Sequence, residues 1–182
     1  MSFLSEITKQ TNGGNFVSFN NSFSCSEYKI IIVGTITSPS GRKGNNGFFY
    51  MSPKNRMYKI IDNYFINNRI ITHFDEYKKK WDIASLKKEL CDKKILFLDT
   101  VESCSNPKNS WKDDDLKSIK LDYQSFKNIR EDALVVANSK NAYFSLLKIL
   151  NENNQTHTVY LCKLFRSFSQ SGWNNIFKKA GI

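Results

Sequence analysis

Four short apolar segments alternate with stretches of helical periodicity, and this alternation restricts the chain to few folds. The segments are rich in β-branched residues and too short for helices, so they predict strands at residues 28–33, 94–98, 133–136 and 158–161. Helical spacing of apolar residues predicts helices at residues 52–64, 83–90, 123–130, 140–150 and 170–179. Strands that alternate with helices form parallel sheets through right-handed crossovers. The sequence therefore predicts a three-layer α/β/α fold with a central four-stranded, mainly parallel sheet.

The length of the chain suits one domain. Its 182 residues are 40% hydrophobic and 14% aromatic, which is enough material for a substantial core. We expect a single domain over residues 1–182, with residues 1–27 as an irregular entry that contains a short helix. No apolar run approaches the roughly 18 residues of a membrane span, and the N-terminus lacks a charged-then-apolar signal layout. A cytoplasmic monomer with no membrane partner is expected.

The cysteine pattern does not indicate a metal site. Cys25, Cys91, Cys104 and Cys162 are far apart in the sequence and none belongs to a CxxC pair. We expect four reduced thiols, mostly buried, and no metal or other cofactor.

The charge of the chain is compatible with a polyanionic partner. The formal net charge is +10 and the pI is about 9.4. Each neutralised phosphate of a nucleic acid releases counterions and adds affinity that does not depend on sequence. The alternative is a Lys-rich and Asn-rich chain whose surface lysines are simply solvated, and charge alone does not choose between the two.

Four polar loops should meet at one edge of the predicted sheet, where ligands bind in open α/β folds. They begin at Gly34-Thr35, Asp99-Thr100, Asn138-Ser139 and Cys162-Lys163. A cleft of amides, hydroxyls and one carboxylate suits a flat, hydrogen-bonding ligand such as a nucleobase. The alternative is that polar residues follow strands in every protein.

Two common enzyme classes lack their motifs here. Six residues separate Gly34 from Gly41, where the Walker pattern has four, and Arg42 follows in place of Lys. The GxGxxG spacing is also missing. Neither His73 nor His157 lies at a strand-to-helix elbow, which argues against a Ser-His hydrolase.

Three blocks of the sequence resemble the uracil-DNA glycosylase superfamily, nearest its mismatch-specific and hypoxanthine-DNA glycosylase-like branch. Gly34-Thr35 and the later run GFFYMSPKNRMYK at residues 47–59 are similar to that branch's first active-site region, Gly-x-Tyr-Tyr-x-x-Pro-x-Asn-x-Phe-Trp. Residues 95–104 resemble its strand that ends in Asp-Val and Ser-Cys, and residues 135–142 its third strand, which ends in Asn-Gly-Lys-x-Ala. The blocks occur in the family order.

The resemblance implies a monofunctional DNA glycosylase that acts on a flipped base in double- or single-stranded DNA and leaves an abasic site. No lysine is placed for a Schiff-base lyase step. Two substrate classes remain open: deaminated bases such as hypoxanthine or uracil in repair, or a modified cytosine in phage DNA, with the protein as an antiviral defence factor. A further alternative is a catalytically inactive DNA-binding module of the same fold.

The chain also departs from the superfamily pattern. Many members place a water-positioning Asp or Asn two residues after the first-strand glycine, and this chain has Ile36 there. By resemblance the functional asparagine of the branch falls on Asn55, for which helix capping is the alternative role. The last loop, residues 161–171, contains neither the Pro nor the leaving-base His found in many members.

The chemistry assigns roles to the remaining candidates. Because a carboxylate only accepts hydrogen bonds, Asp99 should favour a base edge that donates, unless it merely caps the following turn. With Asn55 it forms the predicted catalytic pair. The predicted base-binding residues supply backbone donors, stacking rings or an amide, although the aromatic rings could equally be core residues: Gly34, Thr35, Phe48, Phe49, Tyr50 and Asn138. The predicted DNA contacts are three basic side chains that bind phosphate and one aromatic wedge residue: Arg42, Lys43, Arg166 and Phe168. For the basic side chains, the alternative is that they are simply solvated at the surface.

Overall fold

The structure of the protein is a computed structural model. It describes residues 15–36, 48–49, 56–66, 69–75, 80–106, 113–162 and 169–182. The strands are β1 (Asn15–Val17), β2 (Ile30–Gly34), β3 (Phe74–Asp75), β4 (Lys80–Trp81), β5 (Ile95–Asp99), β6 (Val101–Ser105), β7 (Lys117–Leu121), β8 (Leu134–Ala137) and β9 (Val159–Leu161). The helices are α1 (Arg56–Phe65), α2 (Arg69–Thr72), α3 (Ile83–Asp92), α4 (Lys140–Glu152) and α5 (Ser169–Ala180), with 3₁₀ turns at Asn20–Ser22 and Asp113–Asp115.

A four-stranded parallel sheet in the order β5-β2-β8-β9 forms the centre of the molecule. All five residues of β2 are buried, as expected for a parallel strand covered on both faces. Helix α3 packs against β5, and α4 packs against β8 and β9. The predicted α/β class with a central four-stranded parallel sheet is confirmed, and each predicted strand lies within two residues of the observed one.

The helices begin where side chains can cap them. Asp82 accepts a hydrogen bond from Ser85 N at 3.1 Å at the start of α3, and Ser139 Oγ accepts one from Ala142 N at 3.1 Å at the start of α4. Of the helix predicted at residues 52–64, residues 52–55 lie outside the described part of the chain. Within that part, no helix combines the length and the apolar character needed to span a bilayer.

A second, three-stranded sheet was not predicted. Its order is β1-β6-β7 and its pairings are antiparallel. A single residue, Thr100, separates β5 from β6, and four of the five residues of β7 are exposed. Because only two of its five residues, Ile119 and Leu121, are apolar, the segment resembled a loop. The entry segment likewise contains β1 within residues 15–27.

The helix predicted at residues 123–130 is wrong, since this segment consists of turns. Phe126 and Ile129 are both buried, and their spacing of three produced the apparent helical periodicity. The Asp122 carboxylate accepts hydrogen bonds from Ser125 N at 2.9 Å and from Ser125 Oγ at 2.6 Å. Such side-chain bonds to the nearby backbone offer the chain an alternative to a continuing helix.

The prediction of four reduced thiols is wrong for two of them. Cys25 and Cys91 form a disulfide with a Cα–Cα distance of 5.5 Å, while Cys104 and Cys162 are free and buried. The two bonded residues are 66 positions apart, and spacing alone does not reveal such a pairing. The bond joins the segment before β2 to α3.

We predict that unfolding without reductant exposes two reactive thiols and unfolding with reductant exposes four. Reduction should lower the free energy of unfolding by about 2–4 kcal/mol, because it releases a long loop in the unfolded chain. Thiol titration and urea denaturation with and without reductant measure both effects. The double variant Cys25→Ser/Cys91→Ser is the control, and its stability should not respond to reductant. Four reactive thiols in the absence of reductant would contradict the pairing.

Candidate functional site at the carboxyl edge of the sheet

The ends of the four parallel strands form a row of residues across the sheet. Gly34 pairs in register with Asp99, and Asn138 N donates to Val33 O at 2.9 Å. Cys162 N donates to Ala137 O at 2.9 Å. The row therefore follows the strand order as Asp99, Gly34, Asn138 and Cys162, which we call the edge row. The structure brings together the four loop starts that the sequence placed at this edge.

Hydrogen bonds fix the backbone at the start of the first loop, at Gly34 and Thr35. Gly34 O accepts from Thr100 N and Thr35 O accepts from Val101 N, each at 2.9 Å. The hydroxyl of the buried Thr35 lies 3.3 Å from that of Ser139, which also caps α4. The first loop is thus tied on one side to the connection between β5 and β6, and on the other to the start of α4.

Asp99 is buried at the end of β5, with 2% of its surface exposed. Its backbone N donates to Asn20 Oδ1 at 2.7 Å, and its backbone O accepts from Asn20 Nδ2 at 2.8 Å. A carboxylate with so little solvent needs hydrogen-bond donors around it. The register with β2 places Asp99 beside Gly34, and both backbone groups of Asp99 are held by Asn20.

Thr100 adds a second polar group next to Asp99. It is fully buried, and its Oγ1 has no hydrogen-bond partner among the described residues. Leaving such a group unpaired costs on the order of 1–3 kcal/mol.

Phe48 and Phe49 are core residues. Both rings are buried, and their centroids lie 5.2 Å apart in an edge-to-face pair. Phe48 packs against Phe23 at 5.2 Å and Phe49 against Phe97 at 5.9 Å. The contacts of these two rings therefore match the core alternative, and a stacking role for them stays a prediction.

Several predicted site residues lie outside the described part of the chain: Asn55, Tyr50, Arg42, Lys43, Arg166 and Phe168. Asn55 immediately precedes α1, which begins at Arg56 and packs into the core. Met57, Tyr58 and Ile61 in this helix are buried, and the hydroxyl of Tyr58 donates to Phe49 O.

Ile36 is half-buried and packs against an apolar cluster formed by Val101, Cys104 and Leu116. Through this contact, Ile36 joins the start of the first loop to the second sheet. An apolar side chain cannot orient a water molecule by a hydrogen bond.

Cys162 closes the edge row as a neutral group. Burial raises the pKa of its thiol to about 11, so the thiol stays protonated at neutral pH. A thiol in that state is a poor nucleophile. Among the described residues, no group of three or more His, Cys, Asp or Glu side chains is placed to hold a metal ion.

Asn20 and Asp122 are residues of the site that the sequence did not reveal. Asn20 is 6% exposed and donates from Nδ2 to Asp122 Oδ2 at 2.7 Å, while Asp122 N donates to Thr100 O at 2.9 Å. The sequence separation from Asn20 is 79 residues to Asp99 and 102 to Asp122, so no local motif connects them.

A cavity of about 820 Å³ lies at the opposite edge of the sheet, by the amino ends of β8 and β9. Lys127, Glu131, His157 and Lys179 are among its lining residues, so charges of both signs surround it. Ligands of open α/β sheets bind at the carboxyl ends of the strands, where the predicted site residues also meet. We therefore assign the candidate site to the edge row.

Comparisons with known proteins support the fold. No family model matches the sequence, and no curated protein matches it. Among solved structures, the solution NMR structure of a candidate uracil DNA glycosylase from Methanosarcina acetivorans is similar, with 19% sequence identity and a TM-score of 0.59. The match covers 88% of this chain and 97% of that chain. At this identity the similarity shows that the two proteins share a fold.

Proposed function

We propose that the chain is a monofunctional DNA glycosylase that hydrolyses the N-glycosidic bond of a flipped damaged or modified base and leaves an abasic site. The observation that carries this proposal is the edge row, in which a buried carboxylate, a glycine and an amide lie side by side at the carboxyl ends of parallel strands. The fold shared with a candidate uracil DNA glycosylase supports it. So do the three sequence blocks that resemble that superfamily.

The reaction requires groups on both sides of the broken bond. As the bond between C1′ and the base nitrogen breaks, its electron pair leaves with the base and the sugar gains oxocarbenium character. A water molecule then adds its oxygen to C1′, and its proton is ultimately transferred to the departing base. In the proposal, backbone N–H groups of the first loop stabilise the base and Asn55 orients the water. Asn55 is proposed for the orientation of the water because the side chain of Ile36 is apolar and packs against apolar neighbours.

Asp99 is proposed to select the base. Its buried carboxylate accepts hydrogen bonds only, so it favours an edge that donates, such as N1–H of hypoxanthine or the amino group of a cytosine derivative. It repels O4 of uracil, although N3–H of uracil can still donate to it. The substrate is accordingly a deaminated base in repair, or a modified cytosine in phage DNA if the protein acts in defence.

The rest of the proposal concerns the DNA. A net charge of +10 supports binding to phosphates, for which Arg42, Lys43 and Arg166 are the proposed contacts. Phe168 is proposed to fill the gap left by the flipped nucleotide.

We propose that the protein is a cytoplasmic monomer. Ile36 favours one alternative, a catalytically inactive DNA-binding module.

The first test is base release from duplex and single-stranded DNA that contains hypoxanthine, uracil, modified cytosines or normal bases. We predict release of one class of base by the native protein and a loss of about 10²-fold or more in Asn55→Ala, because the water loses its orientation. Asn63→Ala is the matched control, since Asn63 is an exposed asparagine on α1, and it should keep the native rate. DNA binding that weakens with salt but yields no abasic sites would favour the inactive module.

The second test replaces the selecting carboxylate. Asp99→Asn keeps the size of the side chain but adds a donor, so we predict that the rate on uracil, relative to the preferred base, rises about tenfold. Asp92→Asn, at an exposed position in the last turn of α3, is the control and should leave the ranking of substrates as it is. An unchanged ranking in Asp99→Asn would show that Asp99 does not read the base.

A further inference from the structure

The side chain of Asn20 holds both peptide groups of Asp99 at the outer edge of the central sheet. Among the described residues, β5 lies at the end of the central sheet, and no other strand of this sheet pairs with its outer side. Asn20 Oδ1 accepts from Asp99 N at 2.7 Å, and Asn20 Nδ2 donates to Asp99 O at 2.8 Å. One side-chain amide thus makes the pair of hydrogen bonds that a further strand would make.

Asp122 determines which way the Asn20 amide faces. The second hydrogen of Asn20 Nδ2 points to Asp122 Oδ2 at 2.7 Å, and a carboxylate can only accept. The NH₂ group must therefore face Asp122, which leaves Oδ1 for the Asp99 N–H. Asp122 is itself fixed by Ser125, which donates to it from both N and Oγ, and its own N donates to Thr100 O. The orientation of Asn20 is consequently defined from both sides.

The segment that carries Asn20 is anchored to the core. Phe19 packs edge-to-face against Phe49 at a centroid distance of 6.1 Å, and Phe23 packs against Phe48 at 5.2 Å. The disulfide of Cys25 follows within a few residues. The segment around Asn20 is therefore held in place by core packing and by the disulfide. A residue that fixes the geometry of another residue needs such support.

We propose that Asn20 is a positioning residue that sets the place of the Asp99 carboxylate, and with it the choice of base. The inference rests on the proposed function, because it assumes that Asp99 reads the base. The peptide groups of Asp99 determine where its short side chain can reach. A displacement of about 1 Å at such a group can cost on the order of 10²-fold in rate.

The test compares Asn20→Ala with the matched control Ser22→Ala. Ser22 lies in the same 3₁₀ turn and its hydroxyl donates to Phe19 O at 2.7 Å, away from Asp99. We expect kcat/KM of Asn20→Ala on the preferred base to fall about 10- to 100-fold. The difference in kcat/KM between the preferred base and the other bases should become smaller. Ser22→Ala should stay near the native rate. Thermal unfolding confirms that each variant is folded, and Asn20→Ser replaces Asn20→Ala if that variant does not fold.

A double-mutant cycle separates positioning from general structure. In the Asp99→Asn background, no carboxylate remains to be positioned. There, Asn20→Ala should change the ratio of the rates on different substrates by less than about twofold.

Amide exchange measured by NMR is a readout that does not depend on activity. Loss of Asn20 should speed the exchange of the Asp99 N–H.

The outcomes distinguish the two proposals. Native protein that releases no base overturns the proposed function, and the inference with it. Active native protein whose ranking does not respond to Asn20→Ala, or responds equally in both backgrounds, overturns the inference alone. Unchanged exchange of the Asp99 N–H in Asn20→Ala also overturns it.

Discussion

The pairing of β2 with β5 and β8 along its length is the constraint on which the rest of the structure depends. Ile30 pairs with Ile95 on one side and Leu134 on the other, and the same register brings Gly34 beside Asp99. Successive side chains of a strand point to opposite faces, so a shift of one residue would exchange the faces and separate this pair. The register of β2 with its two neighbours therefore determines both which residues meet in the core and which residues form the edge row.

A polar network continues this order beyond the apolar core. Asp99 is the last residue of β5, and beyond it the chain turns through Thr100 into a different sheet. Asn20 and Asp122 satisfy the backbone groups of this turn, where buried groups without partners would cost stability. The N-terminal segment thus contributes to the candidate site although it is distant from it in sequence.

The sequence predicted the parts of the fold that local patterns encode. The β-branched run of β2 and the apolar spacing of α4 both gave the correct element, and parallel pairing then placed the loop starts at one edge. The parts that it missed depend on tertiary contacts. Strand β7 is paired but exposed, the Cys25–Cys91 disulfide spans 66 residues, and Asn20 lies 79 residues from Asp99. The alternation in β7 is too short to stand out, and neither the disulfide nor the contact of Asn20 leaves a local pattern.

The edge row is tested most directly by locating the flipped base on the protein. Amide exchange can be measured with DNA that carries the released base on a 2′-fluoro sugar, which disfavours the oxocarbenium transition state and keeps the bond intact. If the base binds at the edge row, exchange should be slower at residues 34–36, 99–100 and 138–139. Slower exchange confined to residues 127–134 and 154–160, at the cavity on the opposite edge, would contradict it.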